Sequence, residues 1–321
     1  MKISKTPLRM SFLGGGTDFP WFIEEHGGAV ISSAIDRYIY ISALKSFEAN
    51  TTYLKYSSFE QVSDFKDIQH PIFRTVLEDS GLAGHDFSVM ADIPGGTGLG
   101  SSSAFTVGLI HVVEALSNRQ VDPKELAERA IDIELNKLGE PIGIQDHLPP
   151  VYGGTNYFEF SPAHEFKVVP VDLELNNVFD FVLVPTERYQ RSASETIRKQ
   201  MAMLGGESKA IKPLLEMLTL TKETFRRIAT DPLSLTDGLN EAWKMKKASN
   251  PRASSERVEE IIQWGRRRGA LAGKLLGAGD GGFVLLVFEK GSAHKIFMSP
   301  SSAHRLELVE VSKQGSEILD S

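Results

Sequence analysis

The chain has 321 residues, with 35 Lys and Arg against 42 Asp and Glu, a net charge of −7, 8 histidines and no cysteine. That length suggests about two domains, and the 41% hydrophobic and 24% charged residues are ordinary for a globular protein. The acidic balance argues against a nucleic-acid partner, the lack of cysteine excludes disulfides and thiolate metal sites, and no apolar run reaches the roughly 18 residues of a membrane-spanning helix. The histidines are scattered without an H-x-x-x-H pair, which argues against zinc. Met1 to Arg9 has no apolar signal core, and with no cysteine this fits a cytoplasmic protein.

Residues 1–60 read as strands. Thr6-Pro7-Leu8-Arg9-Met10-Ser11-Phe12-Leu13 runs into Gly14-Gly15-Gly16-Thr17-Asp18, so Arg9 and Asp18 flank an apolar strand and turn. In isolation the two are either solvated surface charges or parts of a phosphoryl-transfer site, where arginine neutralises developing charge and aspartate accepts sugar hydroxyls. Ala29 to Leu44 holds two apolar runs with a turn-like Asp36-Arg37 between them. A short helix is expected over Pro71 to Asp79.

The most informative run is Pro94-Gly95-Gly96-Thr97-Gly98-Leu99-Gly100-Ser101-Ser102-Ser103-Ala104. It follows the strand-like Phe87 to Ile93 and opens a helix to about Ser117, since Phe105, Leu109, Val113 and Leu116 fall at helical spacing. Glycines let a ligand approach the backbone N–H groups, and a helix start adds unpaired donors and the positive end of its dipole. The serines can cap the helix or coordinate a metal ion. Gly95 and Gly100 keep the spacing of a Walker A loop, but Ser101-Ser102 stand where Lys-Ser/Thr belongs, and the run also fails G-x-G-x-x-G. Read alone it is a phosphate site or a turn capping an ordinary helix, and the triple serine favours phosphate.

Asp122-Pro123, an N-cap followed by an N1 proline, starts the next helix through Leu135, which carries Glu134 late in its course. Asp146 follows Gly143-Ile144-Gln145, and Val151 to Phe160 reads as a turn and strand. A carboxylate with a serine hydroxyl suits Mg²⁺, and a second carboxylate can orient or deprotonate an attacking hydroxyl. Phe179 to Val184 is an expected strand, and Ser192 to about Thr230 is helical with breaks at Gly205-Gly206 and Pro213. Pro232 and Gly238 punctuate the next stretch, and Ser255 to Arg268 is another helix. A glycine loop, Leu276-Gly277-Ala278-Gly279-Asp280-Gly281-Gly282, feeds the buried strand Phe283 to Phe288, and Arg305 to Val311 alternates like a final strand. Three glycine clusters could be unrelated turns, or could meet around one polyanionic ligand.

At this point the chain resembles the GHMP small-molecule kinases. Pro94 to Ala104 is similar to their P-x-x-x-G-L-G-S-S-x-A loop, Lys274-Leu275-Leu276-Gly277-Ala278-Gly279 to their C-terminal glycine motif, and Pro7 to Asp18 to the sugar-kinase form of their N-terminal motif. Within the family, Pro7 to Asp18, His26-Gly27-Gly28-Ala29-Val30 and Leu239-Asn240-Glu241-Ala242-Trp243 resemble kinases of D-glycero-D-manno-heptose 7-phosphate in bacterial surface-polysaccharide pathways. The resemblance implies an α+β fold of two domains. The N-terminal ATP-binding domain, expected over 1–175, has a left-handed β-α-β crossover, and the C-terminal domain, over 176–321, is ferredoxin-like.

It also implies roles. The loop residues Gly95, Gly96, Gly98, Leu99, Gly100, Ser101, Ser102 and Ser103 hold the phosphates of ATP, and Ser102 and Glu134 ligate Mg²⁺. Asp146 is the catalytic carboxylate, and Arg9 stabilises the attacking anomeric oxygen. Gly15, Gly16, Thr17 and Asp18 meet the sugar, while Gly277, Gly279 and Gly281 let the last loop close on it. Arg191 touches the distal phosphate. By charge pattern alone, Arg188, Arg191 and Arg198 are either a cationic patch at the start of the helix from Ser192 or a solvated helix face. The implied partner is a small-molecule sugar phosphate, with neither nucleic acid nor membrane, and a homodimer stays open. Two departures bear on the substrate: Asp280 replaces a glycine and His147 replaces a common glutamine. A kinase for another sugar or cyclitol, a non-catalytic sugar sensor and an ATP-dependent decarboxylase are the rivals. Retention of Ser102, Glu134 and Asp146 disfavours the sensor, and the Arg9 to Asp18 segment disfavours the decarboxylase.

Overall fold

The computed structural model describes residues 1–48, 50–163, 165–186, 207–249, 253–277, 279, 281–297 and 305–320. Two sheets organise it. Strand β1 (Lys2–Leu13) pairs antiparallel with the 18-residue β2 (Gly28–Lys45). β2 is long enough to serve two further strands on its other edge: its first half pairs with β6 (Thr155–Phe160) and its second half with β5 (His85–Ala91). Strands β3 (Thr52–Lys55) and β4 (Phe59–Val62) extend the sheet beyond β5, and β7 (Phe166–Pro170) extends it beyond β6. β3 and β5 run parallel, and helix α2 (Pro71–Ser80) lies in their connection, because parallel neighbours need a crossover.

The second sheet is antiparallel, in the order β11 (Glu307–Val309), β8 (Phe179–Pro185), β10 (Phe283–Glu289) and β9 (Ala272–Leu275). Trp243, Val258, Ile261 and Ile262 from two helices, Leu233–Ser249 and Glu256–Arg266, pack on its Val284, Leu286 and Phe288. Its other face, with Phe181, Leu183 and Leu285, shares one buried cluster with Leu8, Met10 and Phe12 of β1. The core is therefore continuous between the sheets, and Phe12 meets Phe181 at 5.6 Å between ring centres. The site lies along this junction. None of the described helices is long and apolar enough to cross a membrane.

Most expected elements form, with informative exceptions. Asp36-Arg37 is no turn; the two residues bulge out of a continuous β2, between the pairs Pro7–Tyr38 and Leu8–Ile35. A helix, Pro20–His26, interrupts the expected run of strands, with proline in its first turn and Gly27 (φ 66°) ending it. Leu148–Tyr152 forms a short helix before β6. Helix Glu207–Ile228 continues through Pro213, and Gly238 lies inside helix Leu233–Ser249. A Cβ at Gly238 would come within 2.6 Å of Thr224 Oγ1, so this glycine lets the two helices touch. The chain also ends in an unforeseen strand, β12 (Glu317–Asp320), which returns to pair with Lys2–Lys5 of β1.

Candidate active site

The Pro94–Gly100 loop leads into helix α3 (Ser101–Leu116), whose N-cap is Gly100 at φ 70°. No side chain caps this helix, which corrects one reading of the serines. Ser101 Oγ instead accepts from Gly96 N at 3.3 Å, and the next two hydroxyls turn inward. The loop is clamped on both sides. Arg9 N of β1 donates to Leu99 O at 3.0 Å, and Phe283 N of β10 donates to Thr97 O at 3.2 Å. Gly98 (φ 82°) packs so closely on the C-terminal glycine loop that a Cβ would lie 2.6 Å from Leu276 O; a Cβ on Gly277 would meet Gly98 Cα at 2.6 Å. Two of the three glycine clusters thus need to be glycine for mutual contact, as well as for approach to a ligand.

Arg9, only 4% exposed, is the hinge of the site. It grips Asp146 bidentately, Nε to Oδ1 at 2.9 Å and Nη2 to Oδ2 at 2.6 Å, and its Nη1 donates to Gly98 O at 2.6 Å. One side chain therefore ties the carboxylate to the glycine loop. A carboxylate has about four acceptor positions, so two remain on Asp146, which is 28% exposed. Asp18 is buried behind it and accepts from Gly16 N at 2.8 Å and Gln145 N at 3.3 Å. Burial, reinforced by the nearby Asp146 charge, pushes its carboxyl up to about 6. Gly143 makes room for it: a Cβ there would fall 1.8 Å from Asp18 Oδ2.

Glu134 forms a second centre. It lies in a wide turn, Asp132–Lys137, that continues helix Pro123–Ile131, whose start Asp122 caps as expected. Glu134 is 1% exposed, and four donors surround it. Ser102 Oγ (2.6 Å) and Thr106 Oγ1 (2.9 Å) reach Oε1, while Ser103 Oγ (2.9 Å) and His147 Nε2 (2.8 Å) reach Oε2. Burial opposes its charge, but the interaction with His147 and the hydroxyl hydrogen bonds outweigh that and hold the carboxyl at about 2.

The chain matches the GHMP kinases N-terminal domain over residues 68–154 and the GHMP kinases C-terminal domain over 222–298. A D-glycero-alpha-D-manno-heptose 7-phosphate kinase of Campylobacter jejuni is 30% identical over 303 residues, covering 88% of this chain and 87% of that protein. The chain belongs to the GHMP kinases. A galactokinase of Pyrococcus furiosus is 25% identical, with 91% of this chain and 90% of that protein covered. A D-glycero-D-manno-heptose 1-phosphate kinase from Bacteriodes thetaiotaomicron shares the fold, with a TM-score of 0.77 at 20% identity over 100% of this chain and 99% of that one. The two-domain α+β architecture expected from sequence is the family's own, and this chain is an ATP-dependent phosphotransferase of that family.

In this GHMP kinase the fold brings together Arg9, Asp18, Gly98, Leu99 and Asp146, and separately Ser102, Ser103 and Glu134. Thr17 is spent inside the protein: its hydroxyl donates to Gly14 O at 2.8 Å and accepts from Ala29 N at 3.1 Å, pinning the first glycine turn. Gly15 faces the Gln145 side chain, with a built Cβ 3.7 Å from Nε2. Gly279 and Gly281 sit at φ 115° and 133°. Arg188, Arg191, Arg198, Ala278 and Asp280 lie outside the described residues.

Three residues at the site received no role from the sequence, although Lys274 opens the C-terminal glycine motif. Gln145 accepts from Ser11 Oγ at 2.8 Å. Lys274 bridges the sheets by donating to Ser11 O (3.0 Å) and Phe12 O (2.9 Å), and Lys246 donates to Gly277 O (2.8 Å). Burial, with Lys246 and Arg9 nearby, pushes the Lys274 ammonium down to about 7; burial and Arg9 push Lys246 to about 8.

The donor set suits the groups a kinase needs. An uncapped helix start behind glycines of positive φ fits a polyphosphate. The Ser102 hydroxyl beside an ionised Glu134 offers two hard oxygens for Mg²⁺. Among the described residues no cluster of three or more His, Asp or Glu builds an all-protein cage, and Mg²⁺ characteristically takes only one or two protein carboxylates beside phosphate and water oxygens.

Proposed function

We propose that this kinase transfers the γ-phosphoryl group of ATP to the anomeric hydroxyl of D-glycero-D-manno-heptose 7-phosphate. The product is the 1,7-bisphosphate, destined for nucleotide-activated heptose and surface polysaccharide. The observation that carries the transfer is Arg9, which joins Asp146 to Gly98 O and sets a carboxylate beside the glycine loop. The 30% identity to the Campylobacter heptose 7-phosphate kinase supports the acceptor. Residues 1–175 form the ATP-binding domain, and the C-terminal domain expected over 176–321 ends short of that bound, because strand β12 (Glu317–Asp320) returns to pair with β1 of the first domain.

The backbone of Gly95 to Ser103 and the α3 N-terminus hold the nucleotide phosphates, and Ser102 and Glu134 hold Mg²⁺. The ion, when bound, neutralises charge on the phosphate oxygens. Asp146 accepts the proton of the anomeric hydroxyl as its oxygen attacks the γ-phosphorus, and ADP departs. Three of the five N–H bonds of Arg9 are engaged, which leaves two for the attacking oxygen or the transferring group. Such a transfer depends on positioning and charge neutralisation. Asp18, with Gly15 and Gly16, receives the sugar, and Gly277, Gly279 and Gly281 close against it. Arg191 takes the distal phosphate. A second reading, a galactose- or fucose-type kinase, draws on the 25% identity to the Pyrococcus galactokinase. ADP release measured with heptose, heptose 7-phosphate, galactose and fucose separates the two. Turnover confined to the heptose phosphate is expected, and turnover confined to galactose or fucose would reject it.

A further inference from the structure

We infer that His147 is a positioning residue that turns Glu134 toward a divalent cation at Ser102. The inference rests on the reading of Ser102 and Glu134 as the metal site. All four acceptor positions of the Glu134 carboxylate are filled. Nε2 of His147 lies 2.8 Å from Oε2 and is the donor of that contact, as the three hydroxyls are of theirs. The four donors are not equivalent. Ser103, Thr106 and His147 are buried, whereas Ser102 is exposed at the start of α3. A cation arriving from solvent therefore meets Oε1 from the Ser102 side. The Ser102 hydroxyl can rotate its proton away and offer its oxygen, while the three buried donors keep their hold from behind.

Among those three, His147 alone comes from outside α3. It ends the turn Ile144–His147, directly after Asp146. Ser103 and Thr106 move with Ser102 on one helix, so they cannot fix Glu134 relative to the acceptor side of the site. His147 can, because its backbone is continuous with that of Asp146.

The test compares His147→Leu, which keeps bulk and loses the donor, with His147→Gln, which keeps a donor. Mn²⁺ binding in the presence of a non-hydrolysable ATP analogue is followed by electron paramagnetic resonance. Nucleotide binding without metal and thermal melting are recorded alongside. His147→Leu should weaken Mn²⁺ by roughly 10- to 100-fold, the usual effect of losing a hydrogen bond to a metal ligand. Metal-free nucleotide binding should stay unchanged, and His147→Gln should restore most of the Mn²⁺ affinity. If His147→Leu does not fold, His147→Asn, too short to reach Oε2, carries the same expectation. Ser102→Ala separates the role of His147 from the metal site itself. If it weakens Mn²⁺ while folded His147→Leu or His147→Asn does not, the role of His147 is overturned. If Ser102→Ala also leaves Mn²⁺ binding intact, the metal reading itself fails.

Discussion

Replacing Asp146 with asparagine keeps its shape and removes its charge. Arg9 presents two N–H donors to Asp146, at 2.9 and 2.6 Å, and asparagine has one acceptor oxygen to meet them. One donor then faces the amide NH₂, and the bidentate pair falls to a single bond. A charged hydrogen bond is worth about 1.5–3 kcal/mol when buried. Asp146 is 28% exposed, so water takes up part of the loss, and about 1 kcal/mol is expected in stability. For a chain of 321 residues that is a fall of roughly 1–2 °C in Tm. The effect on turnover should be far larger. Loss of a proton acceptor costs about 10²- to 10⁴-fold in kcat, or roughly 3–5 kcal/mol of barrier. The Arg9 bond to Gly98 O that ties Asp146 to the glycine loop is kept, so KM for ATP should not move. Steady-state kinetics with each substrate varied, and a melting curve, test both parts. A folded variant with near wild-type kcat would remove Asp146 from the mechanism.

Activity should require Mg²⁺ or Mn²⁺ and vanish in excess EDTA; Ser102→Ala should lose turnover with an unchanged melting temperature, whereas Glu134→Ala should also destabilise by about 3–5 kcal/mol, because three buried donors lose their acceptor. Full activity in EDTA would contradict the first expectation, and an unchanged melting curve for Glu134→Ala the second. The Glu134 carboxyl, held at about 2 against 4.5, favours folding above pH 4.5, and this contribution disappears as pH falls toward 2; urea melts of Glu134→Gln should therefore show a flatter acid limb than wild type. Asp18, raised from 3.8 to about 6, acts oppositely, favouring folding below pH 3.8 and losing that contribution as pH rises through 6; ¹³C-carboxyl NMR should find its midpoint near 6, and a midpoint near 4 would refute the burial argument. Gly98→Ala forces a Cβ to within 2.6 Å of Leu276 O at φ 82°, so ATP affinity should drop at least tenfold, by the roughly 1–2 kcal/mol of left-handed strain plus loop displacement; wild-type ATP affinity would show that the two loops move freely.

Local signals were readable from the chain, and long-range ones were not. The glycine run before Ser101 and the Asp122-Pro123 cap announce themselves because turn and helix-start chemistry is written in adjacent residues. The bulge at Asp36-Arg37 looks like a turn for the same reason: polar residues between apolar runs suit both, and only pairing with β1 decides. Nothing near Pro213 or Gly238 reveals that tertiary packing carries their helices onward. Strand Glu317–Asp320 is too short to be marked by periodicity, and its partner lies 312 residues away in the Lys5–Glu317 pair. At the site, Arg9, Asp146, Ser102 and Glu134 were candidates by residue type and context, and the resemblance supplied their roles. Their contacts span 137 residues for Arg9–Asp146 and 32 for Ser102–Glu134, distances over which spacing says nothing. His147 stood out only as a departure, and its bond to Glu134 emerged from the fold.

The proposed reaction puts the new phosphate on the anomeric oxygen of a heptose that already carries one. The most direct measurement is kcat/KM for heptose 7-phosphate and for free heptose under the same Mg·ATP, with ³¹P NMR of the product. A strong preference for the phosphorylated sugar and a new phosphorus signal coupled to the anomeric proton are expected. Equal kcat/KM for the two sugars, or a phosphate placed on another hydroxyl, would contradict the proposed reaction.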